Sequence, residues 1–225
     1  MADTTSTAAG YLATEFGEYE LILVNDGSTD ASLRIAEQYE NDSIRILSYE
    51  PNRGKGYAVR AGMLLARGEV VFFCDADLPY GLEVLRTGYD KLMSGRSDVV
   101  VGSRRIWDHG YDSYPLMRKI ASNIFVFIVN AVLGLGVSDS QCGFKGFTRV
   151  AAEQVFRRTQ VDGFAFDMEV LCIARNMGFR IDEMPVKLLT HGKSKVRVLR
   201  DSGLMLRDLV KVWLRSNRYG GQGGV

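Results

Sequence analysis

The chain has 225 residues, 46% of them hydrophobic, and a formal net charge of +1. This length can bury one sizeable core, and the near-neutral balance excludes a globally basic nucleic-acid binder. Cys74, Cys142 and Cys172 are too widely spaced for a disulfide framework or a cysteine metal site, which fits a reducing, cytosolic setting. Met1 to Gly10 is small and polar, without the basic and apolar regions of a signal peptide.

In chain order, Glu20 to Val24 reads as a buried strand, and Ala31 to Tyr39 as a helix capped by Asp30 or a neighbouring hydroxyl. Ile44 to Tyr49 is the next strand. The turn Pro51-Asn52-Arg53-Gly54-Lys55-Gly56 opens an alanine-rich helix through Leu65, stopped by Gly68, and Glu69 to Cys74 follows as a strand. A helix from Leu82 to Met93 and a strand from Asp98 to Val101 continue the alternation, which predicts an α/β fold with a mostly parallel sheet. Beyond it come a long apolar helix from Leu116, a loop from Ser138 to Lys145, helices from Thr148 and from Phe166 to Met177, and a strand near Ile181 to Leu188.

The apolar stretch Ile124 to Val137 covers about 14 residues, against the roughly 20 needed to cross a bilayer. It reads as a core or interfacial helix, and Arg118-Lys119 at its start suits lipid headgroups or a phosphate. From Val196 to Tyr219, arginines and lysines alternate with Leu199, Leu204, Leu206, Leu209, Val212 and Trp213. That pattern fits a basic amphipathic helix lying on an anionic membrane, and equally a packed helix with a solvated face.

Asp75-Ala76-Asp77 stands where the apolar strand Val70 to Cys74 stops. Two carboxylates one residue apart repel each other, and a hard divalent cation such as Mg2+ or Mn2+ relieves that repulsion while leaving positions for a diphosphate. An isolated Asp-x-Asp is also compatible with a solvated turn and helix cap. A second acidic loop, Asn25-Asp26-Gly27-Ser28-Thr29-Asp30, follows the strand Leu21 to Val24, and ligands gather beyond strand carboxyl ends in open α/β sheets. Gly54-Lys55-Gly56 lacks the full dinucleotide fingerprint, so its glycines are read as permitting a tight turn and close helix packing. His109 and His191 stand beside no strand-end motif and receive no catalytic role.

The ordered motifs Val24 to Asp30, Asn52 to Ala58, Asp75-Ala76-Asp77, Gly102-Ser103-Arg104 and Gln141 to Lys145 resemble those of family 2 glycosyltransferases over roughly residues 11 to 219. Within that family, Asp139 to Arg149, Phe164 to Leu171 and Gly192 to Lys195 are most similar to the dolichyl-phosphate glucosyltransferases, ahead of the polyprenyl-phosphate mannosyltransferases. The resemblance implies a GT-A, Rossmann-like domain over residues 1 to 195, followed by the basic amphipathic helix and tail at 196 to 225. It also implies an inverting transfer of a hexose, glucose favoured, from UDP-glucose or GDP-mannose to a polyprenyl phosphate lipid. The enzyme would need Mg2+ or Mn2+ and would work at the cytoplasmic face of a membrane, in peripheral contact with it and with no nucleic acid partner.

By position, Asp26, Gly54, Lys55 and Asp75 would bind the donor nucleotide, with Asp26 at the base or ribose. Asp75 and Asp77 would hold the metal, and Asp77 and Arg104 would be catalytic. Arg104, Arg118, Ser122, Gln141, Lys193 and Lys195 would meet the acceptor phosphate. A phosphate acceptor is already anionic near neutral pH and needs positioning more than a base. Were the acceptor a saccharide hydroxyl instead, Asp167 and Glu169 are the reserve bases, although their helical setting also reads as an ion pair or solvated face. Relatives begin with an apolar strand that Met1 to Tyr19 does not match, because Tyr11 to Phe16 already resembles the following helix. The missing strand belongs between those ending at Asp26 and Asp75, so its absence would leave unpaired backbone groups and suit a binding module without turnover.

Overall fold

The computed structural model describes residues 2–106, 116–189 and 198–219. Its elements run α1 (Ala2–Phe16), β1 (Leu21–Asp26), α2 (Ser32–Glu37), β2 (Ile44–Tyr49), α3 (Lys55–Leu65), β3 (Val70–Cys74) and α4 (Glu83–Met93). There follow β4 (Val99–Ser103), α5 (Leu116–Leu133), β5 (Phe144–Thr148), α6 (Arg149–Phe156), α7 (Phe166–Asn176), β6 (Ile181–Pro185) and α8 (Val198–Tyr219).

The strands form two sheets, a parallel pair β1-β2 and a larger sheet in the order β3-β5-β4-β6. Within the larger sheet β3, β4 and β6 share one direction, and β5 alone runs against them. This strand is a correction, since the sequence predicts a loop through Lys145 and a helix from Thr148. Five residues containing Lys145 and Gly146 carry little apolar alternation, yet both side positions are buried. Gly146 pairs with Phe72, and a Cβ there would lie 2.2 Å from the Phe72 ring, so the aromatic covers the glycine.

Alternation along β3 sends neighbouring phenylalanines to opposite faces. Phe72 stacks on Phe144 in a cluster with Tyr80, Cys142, Met184 and Val186, beneath α4. Phe73 stacks on Phe147 in the larger cluster, where Phe156 of α6 and Phe166 of α7 meet it. Leu209, Val212 and Tyr219 of α8 join this second cluster, so one face of the C-terminal helix is packed.

The expected gap in the sheet is present. Among the described residues β1 bonds only to β2 and β3 only to β5, and the chain before β1 forms α1 rather than a strand. Helix α3 packs against both β1 and β3 and so spans the division. No described helix is long and apolar enough to cross a membrane.

Candidate active site

The end of β1 is fixed by Asn25, whose amide donates to Ser48 Oγ at 3.0 Å and whose Oδ1 accepts from Ser28 N. Its neighbour Asp26 reaches across to the loop before α3. The Asp26 carboxylate accepts from Arg53 N at 2.7 Å, Asn52 Nδ2 at 2.8 Å and Gly54 N at 3.0 Å. Three donors on one carboxylate make this residue the organiser of the loop. Burial, and the Asp26 carboxylate beside it, push the Tyr49 hydroxyl well above its usual value. The Arg53 guanidinium lies 3.7 Å from the centre of the Tyr57 ring and completes the surface of this strand end.

The loop delivers Lys55 as the first residue of α3. Gly54 sits at φ 101°, and a Cβ on it would lie 2.5 Å from the Asp162 carbonyl oxygen. At Gly56 a Cβ would meet Val161 O at 2.3 Å, and its N–H donates to Asp162 O at 2.7 Å. Both glycines therefore serve a tight turn and close packing. With the helix start clamped, Lys55 Nζ reaches Asp75 Oδ1 at 2.5 Å. Burial opposes the Lys55 charge, but the carboxylates of Asp167 and Asp75 outweigh it and hold the ammonium above its usual range.

Asp75 begins a turn closed by Leu78 N to Asp75 O at 3.0 Å, and the exposed Asp77 lies within it. Leu78 adopts φ 46°, an uncommon conformation for a leucine. Against the other side of Asp75 lies Gly143, where a Cβ would come 2.3 Å from Asp75 Oδ2. Only a glycine leaves room for the carboxylate. Among the described residues no third His, Cys, Asp or Glu joins Asp75 and Asp77 in a cluster. Two hard oxygen donors with the remaining positions left to phosphate oxygens and water fit the preference of Mg2+, and Mn2+ accepts the same set.

Beneath Asp75 lies a buried charged pair. Lys145 is 0% exposed, donates to Cys142 O at 2.7 Å and is bound to Asp167. Burial pushes the Asp167 carboxyl up, and Lys145 and Lys55 pull against that rise. Glu169, also fully buried, accepts from Gln160 N and Val161 N, each at 2.8 Å, and from Tyr219 Oη at 3.1 Å. Neither carboxylate lies on a solvated helix face.

A second group forms at the end of β4. Arg104 donates through Nε and Nη2 to both oxygens of Asp139, at 2.7 and 2.8 Å. Burial alone would raise the Asp139 carboxyl, but Arg104 outweighs it and holds it below its usual value. Glu183 of β6 fixes the same loop, accepting from Ser138 N at 2.8 Å and from Ser138 Oγ at 2.7 Å. Ser122 Oγ accepts from Arg105 Nη2 at 3.4 Å, and the Gln141 Nε2 atom is buried in the same loop. The side chain of Arg118, together with Lys193, Lys195, His109 and His191, lies outside the described residues.

These strand-end groups occur in a chain whose residues 5–156 match the profile of the glycosyl transferase family 2. The chain belongs to glycosyl transferase family 2. It is 35% identical over 211 residues to a dolichyl-phosphate beta-glucosyltransferase of Drosophila melanogaster, covering 88% of this chain and 64% of that protein. The corresponding human protein is 33% identical over 208 residues, with the same shares covered. The chain thus spans less than two thirds of the length of these relatives. Glucosyl-3-phosphoglycerate synthase of Mycobacterium tuberculosis, solved with UDP, matches with a TM-score of 0.68 at 18% identity, over 96% of this chain and 74% of that one. This likeness shows the GT-A fold. That synthase has also been solved with Mg2+ and UDP, and with Mn2+, UDP-glucose and phosphoglyceric acid.

For a family 2 chain, the sequence names Asp26, Lys55 and Asp75 as candidates but not the contacts joining them. It assigned no role to Asp139, Gly143, Lys145, Asp162 or Glu183. Asp139, Gly143 and Lys145 stand in the run Asp139 to Lys145, whose polar residues before a short apolar stretch were the available signal. Asp162 acts through its carbonyl, which no side-chain pattern reveals.

Proposed function

We propose that this chain transfers a hexose, with glucose favoured, from a nucleotide sugar to a polyprenyl phosphate such as dolichyl phosphate, with inversion. The observation that carries this reading is the connection from Asp26, through the backbone of Arg53 and Gly54, to Lys55 and on to Asp75. It links the two strand-end acids through one lysine. Relatives named as dolichyl-phosphate beta-glucosyltransferases supply the acceptor and the glucose preference.

In this reading Asp75 and Asp77 hold a Mg2+ or Mn2+ ion, whose chemistry is to neutralise the departing nucleoside diphosphate. Asp26 and Gly54 shape the nucleotide pocket by fixing the loop, and Lys55 meets the diphosphate. Arg104, oriented by Asp139, presents its guanidinium near the acceptor phosphate, with Ser122, Gln141, Arg118, Lys193 and Lys195 assigned to the same anion. A phosphate acceptor is favoured over a hydroxyl because both reserve bases are engaged, Asp167 with Lys145 and Glu169 with backbone N–H groups. The division between β1 and β3 favours one second reading, a module that binds the donor without turnover.

The acceptor end faces a membrane in this proposal. Leu206, Val210, Trp213 and Leu214 form an exposed apolar stripe on α8, with Arg207, Lys211 and Arg215 beside it, and α5 exposes Ile124 and Phe127. Apolar side chains flanked by cations suit peripheral contact with an anionic cytoplasmic leaflet. The test is a transfer assay with labelled UDP-glucose or GDP-mannose, dolichyl phosphate and each metal. Label entering the organic-extractable lipid from UDP-glucose is the expected result. Label appearing only in a saccharide, or nowhere, rejects the assignment.

A further inference from the structure

We infer that Lys55 is an internal counter-ion of Asp75 that makes divalent-cation binding depend on the nucleoside diphosphate. This deepens the donor-site reading above and rests on it. Lys55 Nζ contacts Asp75 Oδ1 at 2.5 Å, on one of the oxygens a cation would use. Behind this contact the charges alternate, with Lys55 facing Asp167 as well as Asp75, and Lys145 bound to Asp167. Two ammonium groups thus balance two carboxylates. Asp77 is exposed at the rim and adds one further negative charge.

A divalent cation arriving alone at Asp75 meets an ammonium group already held on the same carboxylate, and like charges oppose that arrangement. A nucleoside diphosphate arriving alone meets the carboxylates of Asp75 and Asp77. Together the two ligands resolve both conflicts, because the diphosphate gives the Lys55 ammonium a new partner while the cation takes up Asp75. The lysine can make this exchange. Its charge is a point on a flexible stem, whereas its backbone is held by Gly56 and Tyr57 N–H groups bonded to Asp162 O at 2.7 and 3.3 Å. The Asp167 carboxylate also attracts the ammonium, which favours keeping the side chain near the donor. By thermodynamic reciprocity each ligand then tightens the other.

The experiment follows free Mn2+ by electron paramagnetic resonance while protein is titrated, with and without saturating UDP, for the wild type, Lys55→Met and Lys55→Gln. Thermal melting by circular dichroism identifies the folded variants, and two substitutions guard against loss of one. The wild type should bind Mn2+ about 10- to 100-fold more tightly with UDP than without it. The folded variant should bind Mn2+ alone about tenfold more tightly than the wild type, and UDP should then add less than about threefold. If the variants bind Mn2+ alone no better than the wild type, and only their UDP affinity falls, Lys55 is a simple phosphate ligand and this inference is overturned. Absence of Mn2+ binding by every protein, even with UDP, overturns the Asp75 and Asp77 donor site itself and this inference with it.

Discussion

Asp139 receives Arg104 on both of its oxygens, and within this pair the carboxylate side chain is 1% exposed and the guanidinium 17%. Removing the cation strands a buried charge, a loss of about 3–5 kcal/mol in stability. Arg104→Gln should therefore lower the urea midpoint at neutral pH. Because the folded Asp139 value is depressed, the pair's contribution is present above the ordinary carboxylate value and is lost as pH falls through the depressed one. The stability difference between wild type and Arg104→Gln should shrink as pH falls from about 8 towards 4, starting above the ordinary carboxylate value, because without Arg104 burial raises the Asp139 carboxyl and protonation relieves the stranded charge. Urea unfolding across that range checks it, and a difference that shrinks on raising the pH contradicts it.

Lys145→Met should destabilise the fold by about 3–5 kcal/mol, since Asp167 would stay buried without its partner. Replacing both residues, Lys145→Met with Asp167→Leu, should recover most of that loss in denaturant unfolding. Donor binding should still suffer in the double variant, because Lys55 loses the Asp167 carboxylate.

Gly143→Ala tests the cradle around Asp75. The added methyl would come 2.3 Å from Asp75 Oδ2, the far end of a half-buried side chain, so the carboxylate moves while the backbone stays. Steady-state transfer should fall on the order of 100-fold with little change in melting temperature. Gly56→Ala should behave oppositely, losing stability first, because its methyl would meet the backbone carbonyl of Val161.

Tyr219→Phe removes the hydroxyl that reaches Glu169 at 3.1 Å. A hydrogen bond to a charged group is worth about 1.5–3 kcal/mol, and its loss should appear as faster amide exchange near the end of α8. Unchanged exchange there would show that the Tyr219 hydroxyl does not hold α8, leaving the packing of Leu209 and Val212 and the Asn176 Nδ2 bond to Ser216 O.

Trp213→Glu and Val210→Glu place charges in the exposed stripe of α8. Both should reduce co-sedimentation with vesicles containing phosphatidylserine about tenfold or more while leaving UDP binding intact. Equal sedimentation of wild type and variants rejects membrane contact through this face.

The elements from β1 to β4 were legible because their apolar runs end at glycine, proline or paired acids, and each predicted strand lies within two residues of the observed one, whereas α1 begins at Ala2 in a stretch that reads as small and polar. β5 was not, since Lys145 and Gly146 look like loop residues until Asp167 pairs with one and Phe72 covers the other. The same reason hid Glu169. On a helix packed by α3, α6 and α8, Glu169 faces inward because the backbone N–H groups of Gln160 and Val161 await an acceptor. Candidate site residues stand out as acids after apolar strands, whereas the use of Asp26 as a loop organiser depends on contacts 26 to 28 positions away.

With no ladder between β1 and β3, backbone hydrogen bonding does not fix the spacing of the two lobes. That spacing is governed by the fit of one helix against both, including Gly62, where a Cβ would approach Val24 Cγ2 to 3.0 Å. The separation of the strand ends at Asp26 and Asp75 should therefore change with side-chain bulk along α3, so that a single methylene on this helix becomes a means of adjusting the distance between them.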